Sequence, residues 1–506
     1  MKNCYRKVIY LAMVLAMLIP VGRVWAQDIA IDVYTINDFR GAIRAEAEDP
    51  GAALLAGAIT KVRSENPAGT IVLGGGNMLF GSIESDTNNG FPVINIMNMM
   101  GFDANVMGSH FFDFKPEIFA QQVAAAKFPY LVCNVKATEG ETLAKPYVML
   151  ERKGLKIGVV GVTTNDIQEE ASPKKIANFT FLDQAASTQA AINEVRAKGA
   201  SLVVLLAHCS VNQRAADGVV RGEAVDLLMK LHGVDACFTG DSQAIVNGTM
   251  IGKPILQGGT HGRYIARVHF VYSTEEKKIK KTTQELLQVK NMNALPDGDV
   301  ANTVRPFCAA VDAKYGQVLT YNYKYLGNDK YEQSAVAEYL TDLLRNSFQT
   351  DFAILNGGGF KADLPVGNVT ARRLMEIYPH SDKIVVLQMR GKDVLDAIDF
   401  GVDNKLVGQG RFSGIRVAFE PDMPQGQRIV DLVLPDGSKV APEKIYTVVT
   451  NSFLANGGDG YVMFKNAISR KEVDPDIQAF FIRTLRNTGS INYREDKRWS
   501  VGELRK

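Results

Sequence analysis

Cysteine is scarce in this sequence: 5 of 506 residues, at Cys4, Cys133, Cys209, Cys237 and Cys308. Their separations match no thiolate metal-binding pattern, which excludes a cysteine-based metal centre. An excess of charge of either sign is also missing, since 57 Lys plus Arg face 55 Asp plus Glu. With no long run of like charge, neither a nucleic-acid face nor an anionic membrane surface is indicated as partner. Beyond the N-terminus no apolar run reaches the roughly 20 residues needed to span a bilayer. Internal repeats and low-complexity segments are lacking too, which excludes a repeat architecture.

What is present is a globular composition, 46% hydrophobic, in a chain too long for one core, so that about two to four domains are expected. The N-terminus carries Lys2, Arg6 and Lys7, then an apolar run over 8–21, then Val24-Trp25-Ala26 before Gln27. That order reads as a secretory signal peptide over 1–26, cut after Ala26, giving a periplasmic or secreted protein with no stable membrane insertion after cleavage. No cysteine stands at the cut, so no lipid anchor is expected there. Cleavage removes Cys4. The other four lie in mostly apolar settings (YLVCNV, LLAHCS, DACFTG, RPFCAA) and read as buried thiols, an oxidising compartment leaving room for one disulfide.

From 28 to about 280, short β-rich runs alternate with helical patterns: IAIDVYTI, GTIVLGGG, ANVMG, PYLVCNV, KIGVVGVT, SLVVLLAH, DACFTG and KPILQGG. Continuous Val/Ile/Leu strands of this kind are buried on both faces, which predicts an α/β domain over 27–290 with helices layered around the sheet. A turn and helix over 291–320 predict a connector. A second, α+β domain is expected over 321–506, with a helix over 334–347, a strand in DFAILNGGG, a helix near 371–377, and strands in IVVLQMRG, GIRVAFEP and YTVVTNSF.

The loops after the first-domain strands concentrate polar residues: Asn37-Asp38-Phe39-Arg40-Gly41, Gly76-Asn77 with Gly81-Ser82, Gly108-Ser109-His110-Phe111-Phe112-Asp113, Ala207-His208, and Gly240-Asp241-Ser242-Gln243. Any one of them alone reads as a capped turn. Together they supply more Asp, Asn, His and Gln than capping requires, and they suggest converging ligands for a divalent metal or a phosphate.

In order and spacing these loops resemble those of the 5'-nucleotidase family. Its first-domain motifs, TNDxHG, GDxxxGS, GNHEFD, a strand ending in His, and GHSH or GHSQ, stand here as INDFRG, GNMLFGS, GSHFFD, LLAHCS and GDSQ. The second domain is more similar still, in NGGGFKADLP and NSFLANGGDGY. The resemblance covers essentially the whole mature chain. It implies a four-layer α/β/β/α metallophosphoesterase domain, followed by an α+β domain of the nucleotide-binding type.

The resemblance also implies roles. Two divalent ions (Mn, Zn, Co or Mg) would be held at the positions of Asp38, Arg40, Asn77, Ser109, His208, Asp241 and Gln243. Here Asp38, His208 and Gln243 match the family, Asp241 replaces a His, and Asn77 is a weak substitute for a bridging Asp. Arg40 stands where a His is expected, and a guanidinium has no lone pair to give a metal. One ion or none, rather than two, is therefore expected. His110 and Asp113 occupy the family's His-Asp pair, which implies transition-state stabilisation and its orientation. In the second domain Asn356, Phe453 and Asp459 match the substrate-binding positions, Lys361 replaces an Arg, His380 in YPHSD replaces a Phe that would stack on a base, and Gly358, among glycines 357 to 359, keeps the backbone close to a ligand. The implied partner is a nucleotide or nucleoside-like molecule. The leading expectation is nucleotide binding with weak or lost phosphoester hydrolysis. The alternatives are an active metal-dependent 5'-nucleotidase or UDP-sugar hydrolase, and a non-catalytic envelope interaction protein.

Overall fold

A computed structural model describes residues 28–504 except 47, 114–115, 139–143, 171–175, 215–217 and 405–406. The signal peptide expected over 1–26 lies outside these residues. The chain divides between Phe307 and Cys308 into two compact units. That division falls inside the helix Gly298–Tyr315, whose start is fixed by Asp297, its Oδ1 accepting from the amides of Asp299 at 3.0 Å and Val300 at 2.9 Å.

All eight β-rich runs of the first unit form strands, among them Asp28–Ile36, Thr70–Gly74, Ala104–Val106, Leu202–His208 and Ala236–Thr239. They distribute between two six-stranded sheets. Each has a parallel core edged by antiparallel strands. In the first sheet the hairpin Tyr264–Ser273 and Lys278–Gln288 extends Asp28–Ile36. In the second, Ile245–Met250 and Tyr147–Arg152 close the two edges. None of these edge strands was expected from the sequence; for Lys278–Gln288 the reason is that KIKKTTQELLQ is interrupted by charge and lacks a β-branched apolar run.

The inner faces of the two sheets pack on one another, with Ile31, Val33, Ile71 and Leu73 in the same buried cluster as Ile157, Val159, Val204 and Leu206. Alternate residues of the second sheet, Val160, Val162, Val203 and Leu205, turn outward onto helix residues Ile192, Val195, Leu227 and Leu228. Helices Gly51–Glu65 and Phe91–Met100 bury the apolar sides of their own turns. The result is the four-layer α/β/β/α arrangement. Parallel strands end on one edge of their sheet, so the loops that follow them collect there.

The second unit is α+β. Its five-stranded sheet runs Arg411–Ser413, Phe352–Leu355, Ile445–Asn451, Lys383–Arg390, Ser469–Asp476. The period of two is explicit: Ala353 and Leu355 face the helices Ala335–Phe348 and Ile477–Arg486, while Phe352 and Ile354 face the helix Gly391–Gly401. Helix Ala335–Phe348 starts where Ser334 Oγ accepts from the Ala337 amide at 3.3 Å. It buries Val336, Leu340 and Leu344 four residues apart. Cys133, Cys209 and Cys237 are buried free thiols, and Cys308 is a half-buried one. No helix among the described residues is long and apolar enough to cross a membrane.

Candidate functional site

Two strand-end loops of the first unit run side by side. Asp38 N donates to Gly76 O at 3.0 Å, Arg40 N to Asn77 O at 3.0 Å and Gly41 N to Met78 O at 2.9 Å. The left-handed backbone that this demands is adopted by Asp38 (φ 47°), Arg40 (φ 52°) and Asn77 (φ 49°), and across the site by Asp241 (φ 78°) and Gln243 (φ 56°). Non-glycine residues rarely take this conformation, and they gather at sites whose surroundings over-determine them.

Asp38 is fully buried. Asn37 Nδ2 donates to its Oδ2 at 2.8 Å, and so does the Asp241 amide at 3.0 Å. Its Oδ1 has no partner. Burial pushes the Asp38 carboxyl above its ordinary range, against the attraction of His208 and the Asn37 hydrogen bond. His208 is also fully buried, with Nδ1 2.8 Å from Gly75 O. A carbonyl only accepts, so Nδ1 carries a hydrogen, and Nε2 points into the site, 3.7 Å from Asp241 Oδ1. Glycine is required around this ring: a Cβ on Gly76 would lie 2.3 Å from His208 Nδ1, and one on Gly240 would lie 2.6 Å from it.

Asn77 has both ends of its amide in use. Its Nδ2 donates to Ser109 Oγ at 3.2 Å, and its Oδ1 accepts from the His110 amide at 3.0 Å. Ser109 Oγ in turn donates to Asp241 Oδ1 at 3.3 Å. Arg40 Nη2 donates to His110 Nε2 at 3.2 Å, and the His110 ring stacks on Phe80 with centroids 5.6 Å apart. Asp113 closes the turn Ser109–Asp113, but its side chain lies outside what the structure describes. Gln243 is exposed, and no hydrogen bond among the described residues ties its side chain to the cluster.

The fit of divalent ions follows from these donors. Two buried donor atoms, Asp38 Oδ1 and His208 Nε2, are unpartnered. The remaining positions are occupied by a self-satisfied chain of Asn77, Ser109 and Asp241 and by a guanidinium. Among the described residues no group of three or more His, Cys, Asp or Glu side chains is arranged to hold a metal ion. The arrangement does not fit a pair of ions, and Asp38 and His208 alone are short of a complete shell for one.

In the second unit, Asn356 and Asp459 follow the adjacent parallel strands Phe352–Leu355 and Ile445–Asn451 and meet, Asn356 Nδ2 donating to Asp459 Oδ2 at 2.7 Å. Asn356 Oδ1 is buried and unpartnered. Burial raises the Asp459 carboxyl, opposed by the Asn356 hydrogen bond and by the charges of Lys330 and Lys361. A Cβ on Gly358 would lie 3.3 Å from Val407 O and 4.0 Å from Lys330 Cε. Phe453 is 43% exposed. His380, also exposed, sets its ring edge-on against Tyr378 at 5.6 Å. Their two loops are tied together by Asn451 Nδ2 donating to Tyr378 Oη at 3.0 Å and Lys383 N to Ser452 Oγ at 3.1 Å.

Lys330 and the segment 407–411, which packs against Gly357 and Gly358, belong to this pocket and were not singled out from the sequence. No motif marks them. Lys330 reaches the pocket through backbone pairing, its carbonyl accepting from Gln409 N at 2.8 Å.

The sequence of 314–466 matches the family described as "5'-nucleotidase, C-terminal domain". The chain is 24% identical over 417 residues to Endonuclease YhcR of Bacillus subtilis, covering 79% of this chain and 34% of that protein, so it spans about a third of that relative's length. It is 25% identical over 437 residues to a 5'-nucleotidase of Vibrio cholerae, covering 77% of each. The fold is shared with the crystal structure of a 5'-nucleotidase precursor from Thermus thermophilus, at a TM-score of 0.80 and 23% identity over 94% of this chain and 99% of that one. The chain thus carries a 5'-nucleotidase C-terminal domain over 314–466, is similar to 5'-nucleotidases along most of its length, and shares their two-domain fold.

Proposed function

We propose that this is an exported nucleotide-binding protein of the family in which phosphoester hydrolysis is weak or lost. The observation that carries the proposal is the hydrogen bond from Arg40 Nη2 to His110 Nε2 at 3.2 Å. It makes Nε2 an acceptor, so this nitrogen has no hydrogen to offer a phosphoryl oxygen. It also holds a fixed positive charge beside the donors that a metal pair would need. Binding is supported by the second unit, where Asn356 Oδ1 is unpartnered and Phe453 offers a ring for a base, a stack worth about 1–3 kcal/mol.

A second reading, an active hydrolase with one divalent ion, is favoured by the unpartnered Asp38 Oδ1 and His208 Nε2. These two atoms are the only buried donors of the cluster left open to an ion among the described residues, two short of a usual shell of four. The deciding measurement is phosphate release from AMP and UDP-glucose with Mn²⁺, Co²⁺ or Zn²⁺, alongside metal analysis of the purified protein. The proposal expects no release above that of a His110→Ala variant. Metal-dependent turnover that His110→Ala abolishes would overturn it in favour of the second reading. Adenosine should raise the melting temperature, and Phe453→Ala should remove that rise; without a Phe453-dependent shift the nucleotide-binding reading fails.

A further inference from the structure

A second cleft of the C-terminal unit, formed by other residues than the Asn356–Asp459 pocket, has a volume of about 570 Å³ and is lined by Asp342, Arg345, Arg416, Asp496, Lys497 and Arg498. That volume is in the range of small-molecule sites. Four basic side chains there face two acidic ones. The acidic groups are already engaged: Asp342 Oδ2 accepts from Arg498 Nη2 and from Tyr493 Oη, and Asp496 Oδ1 accepts from Arg498 Nε at 2.8 Å. Arg498 is itself buried and fixed further by Phe412 O at 3.0 Å. With Asp342 and Asp496 it forms a floor of one guanidinium against two carboxylates, so the four basic and two acidic side chains leave the cleft a net charge of +2.

Above this floor stand Arg345, Arg416 and Lys497, and none of the three joins an ion pair among the described residues. Arg345 donates through Nε to Ser413 Oγ at 2.9 Å, which orients its guanidinium. Arg416 and Lys497 are exposed. Three like charges converging on a concave surface repel one another, and the concavity concentrates their field. An anion with several charged oxygens relieves that repulsion, and a guanidinium can meet two of its oxygens at once.

We propose that this cleft is a binding site for a small oxyanion carrying two or more negative charges, of the phosphate or the polycarboxylate type. The site is independent of the reading given for the Asn356–Asp459 pocket, because it shares none of the residues named there.

The test is calorimetric titration of the full chain at low salt with pyrophosphate and, separately, with citrate. Pyrophosphate should bind, and Arg416→Glu with Lys497→Glu should weaken it by about tenfold or more, as expected on reversing charges that meet the anion directly. Both substitutions fall on exposed side chains, so folding is retained. Phe453→Ala should leave the affinity unchanged, which separates this site from the nucleotide pocket. Citrate bound with the same dependence extends the site to polycarboxylates, and binding of pyrophosphate alone restricts it to phosphate-type anions. The proposal is overturned if neither anion binds, or if the double variant binds within about twofold of the parent, the scale of an ordinary surface charge effect.

Discussion

Glu338 lies beneath Arg498 with 4% of its side chain exposed and with its Oε2 unpartnered, 4.0 Å from Arg498 Nε. Burial pushes its carboxyl from 4.5 up to about 8, the attraction of Arg498 offsetting only part of the desolvation. Between those two values the folded protein keeps a proton that the unfolded chain has released. Stability therefore falls as pH rises through this window. Glu338→Gln removes the titration: the variant should match the parent near pH 4 and exceed it above pH 8, by at most about 5 kcal/mol. Urea unfolding across pH checks this; a parent whose stability does not fall between those limits contradicts it.

Legibility at the residue scale divides along similar lines. Asp38 and His208 could be singled out because they sit at the ends of apolar strands, and the fold buries both there. What the sequence could not convey is direction. His208 Nε2 faces the site because Gly75 O takes the hydrogen of Nδ1, a pairing between residues 133 positions apart. Gln243 and His380 have the residue types the family pattern asks for or tolerates, yet the one is exposed beyond the cluster and the other turns its ring onto Tyr378. Lys330 stands in the pocket only because a backbone hydrogen bond between two loops, Gln409 N to Lys330 O, brings it beside Gly358, and no local pattern announces that.

At the scale of elements, the central strands were legible and the edge strands were not. A parallel strand buried on both faces must be apolar throughout, as LVVLLAH is, whereas an edge strand faces solvent and is free to carry charge. The strand-to-loop junctions are the more sensitive parts. At the end of Ala236–Thr239, a Cβ on Gly240 would sit 2.5 Å from Gly75 O and 2.6 Å from His208 Nδ1. Backbone on one side and a buried ring on the other leave no room to adjust. Gly240→Ala should break the bond between His208 and Gly75 and cost about 1–3 kcal/mol. Chemical denaturation measures the loss, and a change under about half a kcal/mol, the size of a neutral surface substitution, would contradict the packing described.

For the molecule as a whole, the proposed loss of hydrolysis would separate the scaffold for phosphoryl chemistry from the residues that perform it. The four-layer domain still delivers its loops to one sheet edge, and the C-terminal domain still matches its family over 314–466. The departures sit on four side chains: Arg40 with its charge, Asn77 and Ser109 as a neutral hydrogen-bonded chain, and Asp241 at its end. Because this chain satisfies itself, single changes leave a partner unpaired and gain little. Changed together, Arg40→His, Asn77→Asp, Ser109→Asn and Asp241→His remove the cation, supply a bridging carboxylate, and add two imidazoles and an amide oxygen around the lone pairs of Asp38 and His208. The fourfold variant should take up two equivalents of Mn²⁺ or Zn²⁺ by metal analysis and release phosphate from AMP well above the parent, whereas Arg40→His alone should do neither. Two ions bound without any gain in turnover would mean that something besides the donor set, such as the pose of His110 against Phe80, has also been lost.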